Sequence, residues 1–286
     1  MNNIKEVKRE SSLYPEGLKY LKDPPPVLYC IGDAELLQMP MVAVVGSRKC
    51  SEYGKRVSME IGRQLSRGGI GVVSGMAKGI DSFAHLGALK NGGKTIAVLG
   101  CGPDVCYPAE NRKIYEQIIQ EGLIVSEYEP GTKPMPYRFP QRNRIIAALS
   151  EAVVVTEAGT GSGSLRTAEI SNSLNKTVYS VPGNITSQYS IGTNKLIAEG
   201  AMPLFVIEDL IREVGGRTVF ERDGRQGLSD DENKVINILE DSGEVTLEYL
   251  CVKMGKTPIQ MNGIVTVLEM KGYLVCNFGK IFVAKF

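Results

Sequence analysis

After Pro40 the chain is punctuated by seven short apolar runs at 41–45, 71–74, 95–99, 123–125, 152–156, 178–181 and 204–207. All are rich in β-branched residues and bounded by Gly, Pro or Ser. Most of the gaps between them repeat apolar positions at helical spacing, as at Val57, Ile61 and Leu65 and again at Ile114, Ile118 and Ile119. Short strands that are apolar throughout, alternating with amphipathic helices, predict an α/β domain whose parallel sheet is covered on both faces. The reading is an extended Rossmann-like domain over residues 41–215. Ligands of such sheets sit beyond the carboxyl ends of the strands, so the loops that follow each strand carry the functional information.

The flanks have a different texture. Residues 1–40 begin polar and charged and continue through Tyr14-Pro15 and Asp23-Pro24-Pro25-Pro26. The locked φ of those prolines favours an extended connection, and the segment reads as a short N-terminal arm. Residues 216–228 turn rich in Gly, Arg and Asp, as a linker does. Beyond them Ser229, Thr246 and Thr257-Pro258 are placed to open three helices, and residues 273–283 read as a hairpin turning near 277–279. Three helices and a terminal hairpin predict a small winged-helix domain over 229–286.

Composition narrows the classes. At 286 residues and 43% hydrophobic content the chain suits one large and one small domain. Its formal charge of +1 argues against a uniformly basic coat but leaves room for a basic groove. Six cysteines without a Cys-x-x-Cys pair, and a single histidine, imply reduced thiols, with neither a metal site nor a cofactor expected. The sequence shows neither an apolar signal region near its start nor an apolar stretch approaching ~18 residues, so a cytoplasmic protein without a membrane partner is expected.

Charge is nevertheless concentrated locally. From 131 to 150 the chain carries Lys133, Arg138, Arg142 and Arg144 and not one Asp or Glu. Such a run is answered either by an external anion, phosphate above all, or by carboxylates that the fold brings in. Cations for the backbone, with Phe139 or Tyr137 for the bases, suit a single nucleic-acid strand. Ile145, Ile146 and Leu149 are buried and anchor a helix; the competing reading also buries Phe139-Pro140 in the core and pairs Arg142 or Arg144 with Glu157 or Glu127.

Post-strand loops add to this cluster. Gly46-Ser47-Arg48 stands before a helix and offers amides, a hydroxyl and a guanidinium to a phosphate, or forms an ordinary tight turn. Residues 74–81 are glycine-rich, and Asp81 and His85 lie one helical turn apart, as a hydrogen-bonded structural pair would. Residues 157–169 contain Gly159, Gly161, Gly163, Ser162 and Ser164 and lead into a helix, an arrangement suited to an anion. Pro182-Gly183 and Gly192-Thr-Asn194-Lys195 have the same composition. Two apparent motifs fail. Lys94-Thr95 precedes a strand where a phosphate-binding loop would open a helix, and Gly100-Cys-Gly102 lacks the third glycine of a dinucleotide fingerprint.

Assembled in order, these residues resemble the DNA-processing protein A (DprA/Smf) family. The resemblance rests on Gly46-Ser47-Arg48, Ser74-Gly75-x-Ala77-x-Gly79-Ile80-Asp81, Tyr107-Pro108-x-Glu110-Asn111 and Phe139-Pro140-x-Arg142-Asn143-Arg144. It continues through Ser162-Gly163-Ser164-Leu165-x-Thr167-Ala168, Pro182-Gly183 and Gly192-x-Asn194. It implies a non-enzymatic single-stranded DNA-binding protein that loads a RecA-type recombinase in natural transformation and forms a homodimer through the Rossmann-like domain. It also implies DNA contacts from Gly46, Ser47, Arg48, Phe139, Arg142, Arg144, Ser162, Gly163, Ser164 and Asn194. The arm is shorter than the helical domain that many relatives carry there. The alternative is a nucleotide-binding sensor or a LOG-like nucleotide phosphoribohydrolase, but the catalytic glutamate of that family would fall on Thr167, and Glu169 comes two residues too late. Residues 229–286 carry six Lys, no Arg and eight Asp or Glu. A DNA-reading helix needs cations and polar groups, so this domain is expected to contact protein instead of DNA.

Overall fold

The computed structural model describes residues 4–90, 92–216, 228–271, 273–277 and 279–283. The chain divides into two compact units, Met1–Val219 and Phe220–Phe286. Of the expected linker at 216–228, all but Gly216 and Leu228 lies outside the described residues.

The larger unit begins with β1 (Lys5–Lys8), α1 (Glu16–Lys19) and β2 (Val27–Gly32). Then follow β3 (Met41–Val45), α2 (Glu52–Arg67), β4 (Gly71–Ser74), α3 (Ile80–Leu89), β5 (Thr95–Leu99), α4 (Arg112–Glu121) and β6 (Leu123–Ser126). The second half contains α5 (Arg138–Leu149), β7 (Ala152–Val155), α6 (Gly163–Ser173), β8 (Thr177–Ser180), α7 (Ile191–Ala198), β9 (Met202–Pro203) and α8 (Ile207–Glu213). Nine strands form one sheet in the order β1-β2-β6-β5-β4-β3-β7-β8-β9. From β6 to β9 all neighbours are parallel, while β2 on β6 and β1 on β2 are antiparallel.

The all-apolar strands follow from burial on both faces. In β3, Val42 and Val44 pack with Ile61, Leu65, Ile80 and Ala84 of α2 and α3, while Ala43 and Val45 pack with Ile145, Ile146 and Ala168 of α5 and α6. Alternate residues thus point to opposite layers, and both layers exclude water. Helices α2 and α3 approach closely because Gly62 faces the backbone of Ala84 and Ala88, where a side chain would collide.

The structure corrects two expectations. Of the expected arm at 1–40, the described residues 4–40 are not separate from the domain: β1 and β2 extend the sheet, and Val7, Tyr14, Leu18, Leu28, Leu36 and Leu37 enter the core beside α5. Proline does enforce an extended path there, but the apolar residues around it bury that path, and the Tyr14 hydroxyl donates to the Pro25 carbonyl at 2.7 Å. The seventh expected strand, 204–207, is also displaced. Only Met202–Pro203 pairs with β8, and Ile207 already begins α8 with Glu208 and Asp209 in its first turn, where carboxylates suit the helix dipole.

The smaller unit contains α9 (Asp230–Ser242), β10 (Glu244–Thr246), α10 (Leu247–Met254), α11 (Pro258–Met270), β11 (Leu274–Asn277) and β12 (Lys280–Val283). Its antiparallel sheet has the order β10-β12-β11. Ser229 and Thr257 each close a capping box, with Glu232 and Gln260, and Thr246 caps α10. Each cap contributes about 1 kcal/mol. Val235, Leu239, Leu250, Met261, Leu268 and Ile281 form a core of its own.

Candidate nucleic-acid interface

In the sheet order, β3 lies between β4 and β7. The chain winds outward from β3 in one direction through β4, β5 and β6, then returns to β7 on the other side. The loops leaving β3 and β7 therefore diverge above the sheet and open a crevice at this switch point, the place where sheets of this class take ligands. The two loops are tied at their base, since the Ser47 amide donates to the Glu157 carbonyl at 2.7 Å. A cleft of about 590 Å³ opens there, and its lining includes Gly46, Ser47, Arg48, Phe139, Arg142, Ser162, Gly163 and Ser164.

Of the helix N-termini near this cleft, those of α2 and α6 are not equivalent. At α2 the Ser51 hydroxyl caps the Gly54 amide at 3.1 Å, and the buried Glu157 carboxylate accepts both the Ser51 amide at 2.9 Å and the Ser51 hydroxyl. The protein's own anion thus occupies that end. At α6 the Ser162 hydroxyl bonds to the Ser164 hydroxyl at 2.8 Å and caps no amide. First-turn amides have no intrahelical acceptor, so this end stays available to an anion entering the cleft.

Cations dominate the lining. Arg48, Lys49 and Arg166 are exposed there, and among the described residues none forms an ion pair. Asp81 is the one lining carboxylate, 6% exposed, and it accepts the Gly75 and Ala77 amides at 3.1 and 3.3 Å. Burial holds its pKa above the ordinary value, while the Arg142 guanidinium and these amides pull it back down.

Arg142 itself is only 4% exposed. Its Nη1 donates to the Gly75 carbonyl at 2.7 Å and also to the Val98 carbonyl, and its buried Nε has no hydrogen-bond partner. Burial pushes its pKa down to about 10, with the Asp81 carboxylate opposing, so it remains cationic at neutral pH. A side chain at Gly75 would collide with this guanidinium, which accounts for the glycine at that turn. Arg142 was expected to face a ligand. Instead it braces the cleft floor by tying α5 to the ends of β4 and β5, and contributes charge from beneath.

Phe139 sits at the start of α5 on the rim. Its ring stacks on Tyr107 with centroids 5.3 Å apart and planes 24° from parallel, and the Arg48 guanidinium lies 5.7 Å from its centroid. Gly100 lies directly against the ring edge, 2.9 Å from Phe139 Cδ1 to where a Cβ would stand.

Two expected contacts lie elsewhere. Arg144 pairs with Glu127 at 2.7 Å and is outside the cleft lining, because the carboxylate at the end of β6 reaches it first. Asn194 is also outside the lining. Its amide clasps the Gly183 backbone, accepting from N at 3.1 Å and donating to O at 3.0 Å. Nor do Asp81 and His85 pair, since the His85 ring binds the Thr95 hydroxyl at 2.7 Å. That hydroxyl already donates to the Val72 carbonyl, so Nδ1 of His85 is the protonated nitrogen. Conversely, Lys49, Asn143 and Arg166 join the lining without having been singled out. Arg166 stands four residues after Ser162 on one helical face, a spacing that could have identified it.

Comparison with known proteins identifies the family. The family model described as DNA recombination-mediator protein A matches residues 5–215. The chain is 45% identical over 200 residues to DNA processing protein DprA of Streptococcus pneumoniae, covering 70% of this chain and 71% of the relative. It is 42% identical to protein Smf of Synechocystis, but there it spans 55% of the relative's length and 75% of its own. An X-ray structure of the pneumococcal protein superposes with a TM-score of 0.71, covering 74% of each chain at 42% identity. A structure of DNA processing protein A from Helicobacter pylori, described for its single-stranded DNA binding mode, gives a TM-score of 0.68 at 35% identity, over 75% of this chain and 98% of that one. The chain belongs to the DNA recombination-mediator protein A family.

Proposed function

We propose that this protein binds single-stranded DNA in the switch-point cleft and acts as a non-enzymatic recombination mediator. The observation that carries the proposal is the convergence of Arg48, Lys49 and Arg166, which form no ion pair among the described residues, with the open N-terminus of α6 around a cleft whose one acidic group is buried. Phosphates fit the cations and amides, and the aromatic rim suits exposed bases, which a duplex keeps stacked inside. The Helicobacter relative, described for binding single strands, supports the same assignment.

The finer parts of the proposal extend the family resemblance: delivery of the bound strand to a RecA-type recombinase during natural transformation, in the cytoplasm, by a homodimer formed through the larger unit. The smaller unit has the element order of a winged helix, and we assign it to protein contact. Three of its lysines are spent on internal ion pairs, Lys256 with Asp231 and Lys271 with Glu232 at 2.7 Å each, and Lys280 with Glu244. The exposed positions of α11 include Ile259, Val267 and Met270 and no cation.

Oligonucleotide titration tests both assignments. The full chain is expected to bind single strands of mixed sequence with similar affinity and duplexes of equal length at least about tenfold more weakly. A chain ending at Gly216 should keep single-strand affinity within about twofold. Equal affinity for duplex, or loss of binding on truncation, would refute the respective assignment.

A further inference from the structure

A cleft of about 590 Å³ has the size of a small-molecule site, so a strand longer than a nucleotide or two has to leave it. One exit passes Phe139, and the surface beyond is aromatic. Tyr107, which stacks on Phe139, lies outside the cleft lining and is 44% exposed. Immediately before Phe139 in the chain, Arg138 lies over the Tyr128 ring at 4.7 Å and the Tyr137 ring at 5.6 Å, and Tyr137 is 56% exposed. Arg138 is itself held by a bond to the Lys133 carbonyl at 2.7 Å and forms no ion pair among the described residues. Exposed tyrosines normally present their hydroxyl to water and bury the ring against neighbours. Here the Tyr107 and Tyr137 rings are both exposed, and Arg138, which lies over Tyr137, has no carboxylate partner among the described residues.

The same contacts limit what Phe139 can do. Its ring is already engaged by Tyr107 and Arg48, so part of its surface is taken up in holding the platform together. We infer that Tyr107, stacked on Phe139, and Tyr137, beside Arg138, form a second subsite that stacks unpaired bases of a DNA strand leaving the cleft. This inference rests on the proposed cleft and extends it. The ligand class is the unpaired nucleobase on a phosphodiester chain, which a duplex or a mononucleotide bound in the cleft would not supply. The exit past Arg166 and Thr160 offers no aromatic ring among its lining residues.

The chain contains no tryptophan, so a single introduced indole reports without background. The test uses full-length Tyr107→Trp and Tyr137→Trp with a twelve-nucleotide single strand, and Tyr20→Trp as an exposed control outside the platform. Quenching of both platform indoles, but not of the control, is expected. The double variant Tyr107→Ala/Tyr137→Ala should bind the same strand about 10- to 100-fold more weakly, with the salt dependence of binding unchanged, because stacking releases no counterions. Strand binding without quenching, and with wild-type affinity in the double variant, would overturn the second subsite while leaving the cleft intact. Failure of the wild-type chain to bind the strand at all would overturn both.

Discussion

Charge reversal of Arg48 to Glu is expected to weaken single-strand binding about 10- to 100-fold at low salt, equivalent to roughly 1.4–2.8 kcal/mol. Arg48 is exposed on the cleft wall, and among the described residues it has no carboxylate partner, so its charge remains available to phosphate. Its internal attachment is the cation–π contact with Phe139 at 5.7 Å, worth about 0.5–1 kcal/mol at an exposed site. The variant should therefore fold with nearly wild-type stability, which separates lost binding from lost structure. Each phosphate contact removed lowers the salt slope on single strands by ~0.7, so the affinity gap between variant and wild type should narrow as salt rises. The loss should be alike for all sequences. Arg144→Ala is the informative contrast: its guanidinium is held by Glu127 outside the cleft, so binding should change much less. Equal losses from the two variants would argue that the groove runs elsewhere.

Replacing Arg142 with methionine is expected to act first on stability, lowering it by about 3–5 kcal/mol at neutral pH. The guanidinium satisfies the buried Gly75 and Val98 carbonyls and is the leading influence that lowers the pKa of Asp81. Without it, two carbonyls lose their donor and a buried carboxylate loses its nearby cation. The pH dependence has a definite sign. A carboxyl whose pKa is raised by folding contributes stability that is fully present below its unfolded pKa and lost as pH rises through its folded pKa. Removing Arg142 raises the folded pKa of Asp81 further and deepens that loss toward neutrality. The stability gap between variant and wild type, measured by urea unfolding, should thus be larger at about pH 7 than at about pH 4.5. A gap independent of pH would mean that Asp81 does not sense Arg142.

These two arginines also show how far the sequence could be read. The motif Arg142-Asn143-Arg144 signals charge beside the sheet, but three adjacent residues on one helix point in different directions. Arg142 turns down to backbone carbonyls, Asn143 lines the cleft and Arg144 swings to a carboxylate seventeen residues away. Such partners are long-range: the sequence offered Glu127 as one of two candidate carboxylates, and no local pattern assigned it to Arg144. The strands of the parallel sheet were legible because burial on both faces leaves an uninterrupted apolar run. Strand β2 was not set apart, because the prolines before it drew attention to chain direction and away from the apolar run 27–31 that pairs with β6. Gly46-Ser47-Arg48 and Ser162-Gly163-Ser164 were legible for a third reason. Both are small-residue loops at strand ends, and the sheet order alone brings those ends together.

Backbone hydrogen exchange of the full chain, with and without a saturating single-stranded oligonucleotide, addresses the location of the strand without altering any residue. Slowed exchange is expected at 46–50 and at 159–167, the loop and first turn of α6, with no change in α11 or in the β11–β12 hairpin of the smaller unit. Protection confined to 258–283, with both cleft loops unchanged, would contradict the assignment of the switch-point cleft as the DNA site.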